Sequence, residues 1–396
     1  MSNARIILKA IGEENKILNE NPTNTFFKSE IRTHTQFGSG WIVVSNNNKN
    51  TSNYVTPGGS IYFRIPVDGD IITETFLRIK INRSCNWNSD NFGIKETIFG
   101  IINSVEFRVH DTVISRLDAD YIFTYFDLNC DWSELNRIAD SMSYDLLENN
   151  FNDASVKPDH VYLTIPLPFW FHKNPNSGFP VWSLDDANVG IKVETKNFNS
   201  VGNEIIDIEL LTQYNYLTNE EKEKFKNLPL EYVIEQPEIV DSIQLNNLRL
   251  KKNLTRTHFI KYLFWVIKDE SSNQPYLYKD YLKQASLAVN GNGVVDEGNN
   301  KFYRLIERHQ FFNSSGTLNL DMNNKPKKEL NPIYLYSFGV EPSIAKLSGF
   351  LSSEKFNNFT LECSFESGAI GKKIDIYIVK HNIIRIYNGH LSVLFN

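Results

Sequence analysis

The chain is 396 residues long, more than one hydrophobic core comfortably serves, so two domains are the first expectation. Hydrophobic residues make up 41% and charged residues 22%, which fits a globular protein and excludes a disordered one. A net charge of −6 and a pI near 5.8 argue against a broad surface for nucleic acid or anionic membrane.

Residues 1–24 form a polar arm of mixed charge, and no secretory signal is read there because Arg5, Lys9, Glu13 and Glu14 interrupt its short apolar patches. Beyond the arm, period-two alternation dominates. "FLRIKIN" sets Leu77, Ile79 and Ile81 against Arg78, Lys80 and Asn82. "VGIKVETK" and "FTLECSF" repeat the pattern with Val189, Ile191 and Val193, and with Phe359, Leu361, Cys363 and Phe365. Such alternation predicts antiparallel strands with one dry face. Further strands are predicted at Trp41–Ser45, Ser60–Pro66, Val105–His110, Tyr121–Leu128, Ile205–Tyr216, Ile260–Lys268, Gln284–Val289, Ile333–Val340 and Ile374–Val379. Turns rich in Asn, Asp, Gly and Pro separate them, which points to all-β sandwiches or barrels.

Helices are few. "TNEEKEKFKN" opens on a capping box, Thr218 to Glu221, carries Glu220 and Lys224 at i,i+4, and stops before Pro229. It reads as the connection, over 218–237, between a first β domain (25–217) and a second (238–396). A second short helix is expected from Ser133 to about Met142.

Catalytic constellations are missing from the sequence. The eight histidines (34, 110, 160, 172, 258, 309, 381 and 390) include no HExxH and no i,i+4 zinc pair, and neither GxSxG nor CxxC occurs. Cys85, Cys130 and Cys363 lie far apart and fit free thiols in a reducing compartment. The glycines of "AVNGNGVVDEGNN" suit a hairpin better than a phosphate cradle, and its Asn290, Asn292, Asp296 and Glu297 lack EF-hand spacing. Asp118 and Asp120 form a DxD that reads as a turn or strand edge rather than a metal site. Lys251-Lys252 with Arg256 and Lys261, and Lys325–Lys328, read as solvated loops. No catalytic, cofactor or metal residue is assigned, and no enzymatic activity is expected. A carboxylate pair acting on glycans would need proximity in space that sequence does not show.

The segment "LTIPLPFWFHKNPNSGFPVWSL" is too short for a membrane span, and Pro166 and Pro168 exclude a helix interior. An irregular strand and a turn remain, with Phe169, Trp170 and Phe171 divided between the core and a contact with another chain. His172 reads as a polar residue near a loop.

This same stretch, continuing through Pro180 to "VGIKVE", resembles the PLxFWF strand of the major capsid proteins of nucleocytoplasmic large DNA viruses. The likeness runs along the chain in order, from Asn21-Pro22, Phe26-Phe27 and His34 in the arm to Gly69-Asp70 in an early strand pair. It continues through an EYLIEQ-like strand ending at Glu235-Gln236, Trp265, the Tyr336-Ser337-Phe338 and Gly349 segment, and the Arg385 and Gly389 ending. The resemblance implies two eight-stranded antiparallel jelly rolls side by side with few short helices. It further implies a homotrimeric, pseudo-hexagonal capsomer tiling an icosahedral virion shell that is assembled in the host cytoplasm. Implied partners are other copies of the chain, neighbouring capsomers and minor capsid or cement proteins, with an inner viral membrane nearby, no direct contact with nucleic acid and no cofactor. Alternative readings are a minor capsid or assembly-scaffold protein of the same fold, and a glycan-acting enzyme on paired jelly rolls.

Overall fold

The computed structural model describes residues 33–45, 58–82, 101–130, 160–184, 188–196, 205–226, 228–254, 258–269, 278–312, 331–343, 347–352 and 358–395, and a few isolated positions (21, 25, 27, 319–320, 326–327 and 356). The chain divides into a short unit, Met1–Gln36, and a body, Phe37–Asn396. In the short unit Asn21 has a positive φ of 53°, Phe27 is exposed, and the His34 ring lies 2.8 Å from the carbonyl of Thr35.

The body is built from four large antiparallel sheets. Strands β1 (Phe37–Ser45), β2 (Ser60–Arg64), β3 (Ile71–Asn82), β4 (Ile102–Val109), β5 (Thr112–Asp118), β6 (His160–Pro166), β7 (Val189–Thr195) and β8 (Ile205–Leu217) make the first roll. They pair in the orders β1-β8-β3-β6 and β2-β7-β4-β5. The second roll uses β9 (Leu230–Gln244), β10 (Arg249–Asn253), β11 (Ile260–Lys268), β12 (Leu282–Val289), β13 (Asn292–Asn299), β14 (Ile333–Ser337), β15 (Phe359–Phe365) and β16 (Lys373–Tyr387). Its orders, β9-β16-β11-β14 and β10-β15-β12-β13, repeat those of the first roll strand for strand. A terminal strand, β17 (His390–Val393), folds back onto β16 through an Asn388-Gly389 turn in which both residues have positive φ, as a tight hairpin requires.

Alternation along the strands builds the cores. In β15 the Phe359, Leu361, Cys363 and Phe365 side chains are buried while Glu362 between them is exposed. β11 departs from this pattern. Every residue from Ile260 to Ile267 is buried, because its sheet is covered on both faces. One face (Leu263, Trp265, Ile267) enters the second roll's own core, and the other (Tyr262, Phe264, Val266) joins the core of the first roll. A strand buried twice reads as a continuous apolar run, which is what "IKYLFWVIK" is.

Helices stand at matching places. α1 (Ala119–Asn129) follows β5, α2 (Asn219–Lys226) connects the rolls, and a π turn at Phe302–Ile306 runs into α3 (Glu307–Phe311) after β13. The strand expected at Tyr121–Leu128 is therefore wrong. Asp118 caps α1 by accepting the Tyr121 amide at 2.9 Å. Tyr121, Ile122, Phe123, Phe126 and Leu128 are all buried, so no one-sided helical stripe was left to read. Strands β5, β10, β13 and β17 went unpredicted, with Lys251 and Lys252 on β10 rather than in a loop, and β16 extends well beyond the expected Ile374–Val379. The helix expected at Ser133–Met142 lies outside the described residues.

Candidate functional site

The aromatic stretch after β6 is an internal anchor. β6 ends at Pro166, opposite Phe76, and the chain then turns through short contacts, Phe169 N to the Leu167 carbonyl and His172 N to the Phe169 carbonyl, both 2.8 Å. Pro168 is buried, and Phe169, Trp170 and Phe171 all turn inward around Phe107, with ring centroids 5.6, 5.2 and 5.7 Å from it. Phe179 closes the cluster from 5.0 Å, and Pro180 beside it pairs with Ile71 of β3. Edge-to-face rings at these distances add to the burial energy of each side chain. None of the three is left on the surface for another chain. His172 is buried too, with Nδ1 2.6 Å from Glu74 Oε2, while the amide of Lys173 donates to Glu74 Oε1 at 2.8 Å. That partner, on β3, was invisible in the sequence.

Gly69 and Asp70 tie the connecting helix to the first roll. A Cβ at Gly69 would lie 2.4 Å from that of Tyr214, whose hydroxyl donates to the Pro66 carbonyl at 2.6 Å, so only glycine fits. Asp70 Oδ2 accepts the Leu217 amide at 2.7 Å, and Oδ1 pairs with Lys222 of α2 at 2.6 Å. Thr218 supplies the predicted cap to the Glu221 amide.

The seam between the rolls carries the densest buried polar chemistry. Asp118 accepts the Tyr377 hydroxyl at 2.9 Å, and Asp120 accepts that of Tyr278 at 3.0 Å. Lys268 pairs with Asp120 and, at 2.6 Å, with Asp375. Burial, reinforced by the charge of Asp120, pushes the Asp118 carboxyl up to about 6. Burial alone would pull the Lys268 ammonium down, but the carboxylates of Asp120 and Asp375 outweigh it and the net shift is upward. Farther along, Arg308 of α3 reaches Asp127 of α1 with Nη2 2.8 Å from Oδ2, and Asn331 donates to Asp127 Oδ1 at 3.0 Å. Gln236 donates to the Ile114 carbonyl at 2.6 Å and accepts from Asn382 at 2.8 Å.

The remaining motif residues are mostly internal to the second roll. Glu235 pairs with the fully buried Lys261. Trp265 packs against Tyr303 (5.1 Å) and Tyr334 (6.0 Å). Tyr336 and Phe338 sit edge to face at 5.1 Å, while the Ser337 amide donates to Glu307 at 3.2 Å. Burial holds the Glu307 carboxyl up at about 7 against that bond. Gly349 has φ 124°, a conformation side chains rarely adopt, and a Cβ there would lie 3.2 Å from the Phe338 carbonyl oxygen. Arg385 donates to Glu231 at 2.7 Å on the exposed face of the β9–β16 pair. Pro22 and Phe26 lie outside the described residues.

Could the Asp118–Asp120 pair be catalytic? Asp118 borders a cavity of about 200 Å³, below the usual size of a ligand pocket. Both oxygens of each carboxylate are also engaged: by Tyr121 and Tyr377 on Asp118, by Tyr278 and Lys268 on Asp120. Among the described residues no group of three His, Cys, Asp or Glu is placed to hold a metal. The arrangement fastens two rolls together.

Comparison with known proteins agrees with this architecture. A family model described as "Major capsid protein N-terminus" matches residues 25–219. The chain is 25% identical over 402 residues to the major capsid protein of Pyramimonas orientalis virus, covering 96% of each chain. It is 23% identical to that of Paramecium bursaria Chlorella virus 1, covering 96% of this chain and 97% of that one. The solved VP54 of the latter virus superposes with a TM-score of 0.73 at 17% identity over 94% of this chain and 100% of VP54. The faustovirus major capsid protein gives 0.64 at 10% identity over 92% of each.

Proposed function

The chain belongs to the double jelly-roll major capsid protein family of large DNA viruses, and from that premise we propose that three copies close into a pseudo-hexagonal capsomer. Its function is structural: it is a major capsid protein of the virion shell, not an enzyme. The observation that carries the trimer reading is the strand-for-strand repeat of the two rolls. Two similar units per chain give a ring of three copies six similar corners, the outline that tiles a closed shell. The polar arm (1–24), the rolls (25–217 and 238–396) and the connection (218–237) divide the labour in this reading. The rolls build the capsomer, and the arm lies at its base against neighbouring capsomers or minor capsid proteins, close to an inner membrane.

Light-scattering chromatography of the purified chain followed by electron microscopy tests this. Trimers with a hexagonal outline are expected, and monomers without one would overturn it. Deleting residues 1–24 should leave the trimers intact while blocking shell assembly.

A further inference from the structure

The seam gathers a lysine, three carboxyls and two phenols, more chemistry than a simple ion pair requires. Strand alternation puts Lys268 on the same face of the β11–β16 pair as Val266 and Phe264, whose partners on β16 are Asp375 and Tyr377. Tyr278 forms a single bridge with Lys268, and α1 brings Asp120 in from the first roll. The Lys268 side chain is 12% exposed, that of Asp120 13% and that of Asp375 4%. Tyr377, stacked on Phe264 at 4.7 Å, and Tyr278, edge to face with Phe123 at 5.8 Å, close the cluster from water.

Each group stands where one step of an amide condensation needs it. Lys268 Nζ pairs with Asp120 Oδ2, which sets the amine against the Asp120 carboxyl carbon. Asp375 Oδ2, 2.6 Å from Nζ, is placed to take an ammonium proton. Asp120 Oδ1 accepts the Tyr278 hydroxyl at 3.0 Å, a donor aimed at the oxygen that gains charge as an amine attacks. The Tyr377 hydroxyl lies 2.9 Å from Asp118 Oδ2 and 3.5 Å from Asp120 Oδ2, so by rotating it can pass a proton from one to the other. Burial, with the charge of Asp120, lets Asp118 hold that proton, its carboxyl being up at about 6.

We infer that Lys268 and Asp120 condense into an isopeptide bond that joins the two rolls covalently. Asp375 takes one proton from the Lys268 ammonium, and Asp118 delivers one to Asp120 Oδ2 through Tyr377. The neutral amine attacks the Asp120 carboxyl carbon, the Nζ–Cγ bond forms, and the nitrogen gives up its second proton, which restores Asp118 through Tyr377. The Cγ–Oδ2 bond then breaks as Asp375 returns its proton to the departing oxygen. An ammonium and a carboxylate have become one amide and one water, and the balance needs no oxidant or co-reactant. Holding amine and carboxyl together replaces a bimolecular encounter, an advantage equivalent to about 10⁵–10⁸ M. Asp120 and Asp375 keep the Lys268 ammonium charged, so the free amine is scarce and the bond forms slowly after folding. The two residues are 148 apart in the chain, so the bond closes a long loop and keeps the rolls tied even in an unfolded chain. Monomers and trimers alike should carry it, because every group belongs to one copy.

Mass spectrometry of the full-length chain tests this. Folded wild type, followed over days at neutral pH, should become lighter by one water, and its digest should contain a branched peptide joining Lys268 to Asp120. Lys268 should then resist acetylation even after denaturation. Lys268→Met and Asp120→Ala should keep their full calculated masses. Tyr377→Phe preserves the ring on Phe264 but removes the relay, and should slow the loss of water by about a hundredfold or more, as should Asp118→Asn. A wild type that keeps its full mass, or whose missing water maps to a succinimide or to a branch at Lys196 or Asp375, would overturn the bond. A Tyr377→Phe protein that loses water as fast as wild type would overturn the relay. Should a variant misfold, wild type kept in urea decides: its mass should stay unchanged, and water lost there as fast as in the folded chain would overturn the assignment.

Discussion

The Tyr377 hydroxyl on β16 donates to the Asp118 carboxylate at the end of β5, 2.9 Å away. One side chain therefore caps α1 in the first roll and anchors the second roll across the seam. Burial and the neighbouring Asp120 push this carboxyl up to about 6, whereas in an unfolded chain it would titrate near 4. Between those values the folded protein retains a proton that the unfolded chain has released, so this group's contribution to stability is lost as pH rises from about 4 to about 6. Asp118→Asn should therefore gain stability relative to wild type across that window, with the difference level above pH 7. Urea unfolding at pH 4.5 and 7.5 checks this. A pH-independent difference would remove Asp118 as the source.

Arg308 and Asp127 are each almost fully buried and meet at 2.8 Å between α3 and α1. Removing one member of such a pair strands the other charge, at a cost of about 3–5 kcal/mol. Arg308→Ala should lower the melting temperature substantially. Replacing Arg308 with Met and Asp127 with Leu together should recover much of the loss, since no charge is then stranded. A double variant no better than the sum of the singles, in thermal melts of all three, would show that the pair is not coupled.

Legibility in the sequence followed the range of the interactions. α2 was readable because its cap lies within its own residues, Thr218 to Glu221. Alternating strands such as β15 were readable because one dry face imposes period two. α1 was not, since burial on all sides erased its stripe, and its cap at Asp118 looked like a turn. The polar pairs were hidden for another reason. Lys268 meets Asp120 from 148 residues away, and His172 meets Glu74 from 98, so no local pattern announces either. Motif resemblance found the aromatic anchor, but only the packing around Phe107 placed all three rings inside one chain.

Trp170 packs 5.2 Å from Phe107 and 5.1 Å from Phe171 and is almost fully buried. Trp170→Ala should cost about 3–5 kcal/mol through lost contacts and the cavity left behind. Its indole nitrogen has no hydrogen-bond partner among the described residues, so Trp170→Phe, which forfeits no bond, should cost less than the alanine variant. Denaturant midpoints rank the three proteins. Unchanged melting and trimer mass in the alanine variant would contradict the core assignment.

His381 sits in β16 opposite Glu235, near Lys261, with both ring nitrogens lacking partners among the described residues. Burial, opposed by Glu235 and aided by Lys261, pulls the imidazole down to about 4. An unfolded chain takes up that proton near pH 6.5. Between about 6.5 and 4 the unfolded state therefore binds more protons, and this group's stabilising contribution disappears as pH falls, the opposite sense to Asp118. His381→Leu fills a similar volume, forfeits no hydrogen bond and titrates in neither state. Its stability relative to wild type should rise as pH falls from 7 to 4.5, by on the order of 2–3 kcal/mol for a shift of this size. Urea unfolding of both proteins at four pH values measures the trend. A flat difference would show that the ring protonates in the folded state as readily as in the unfolded one.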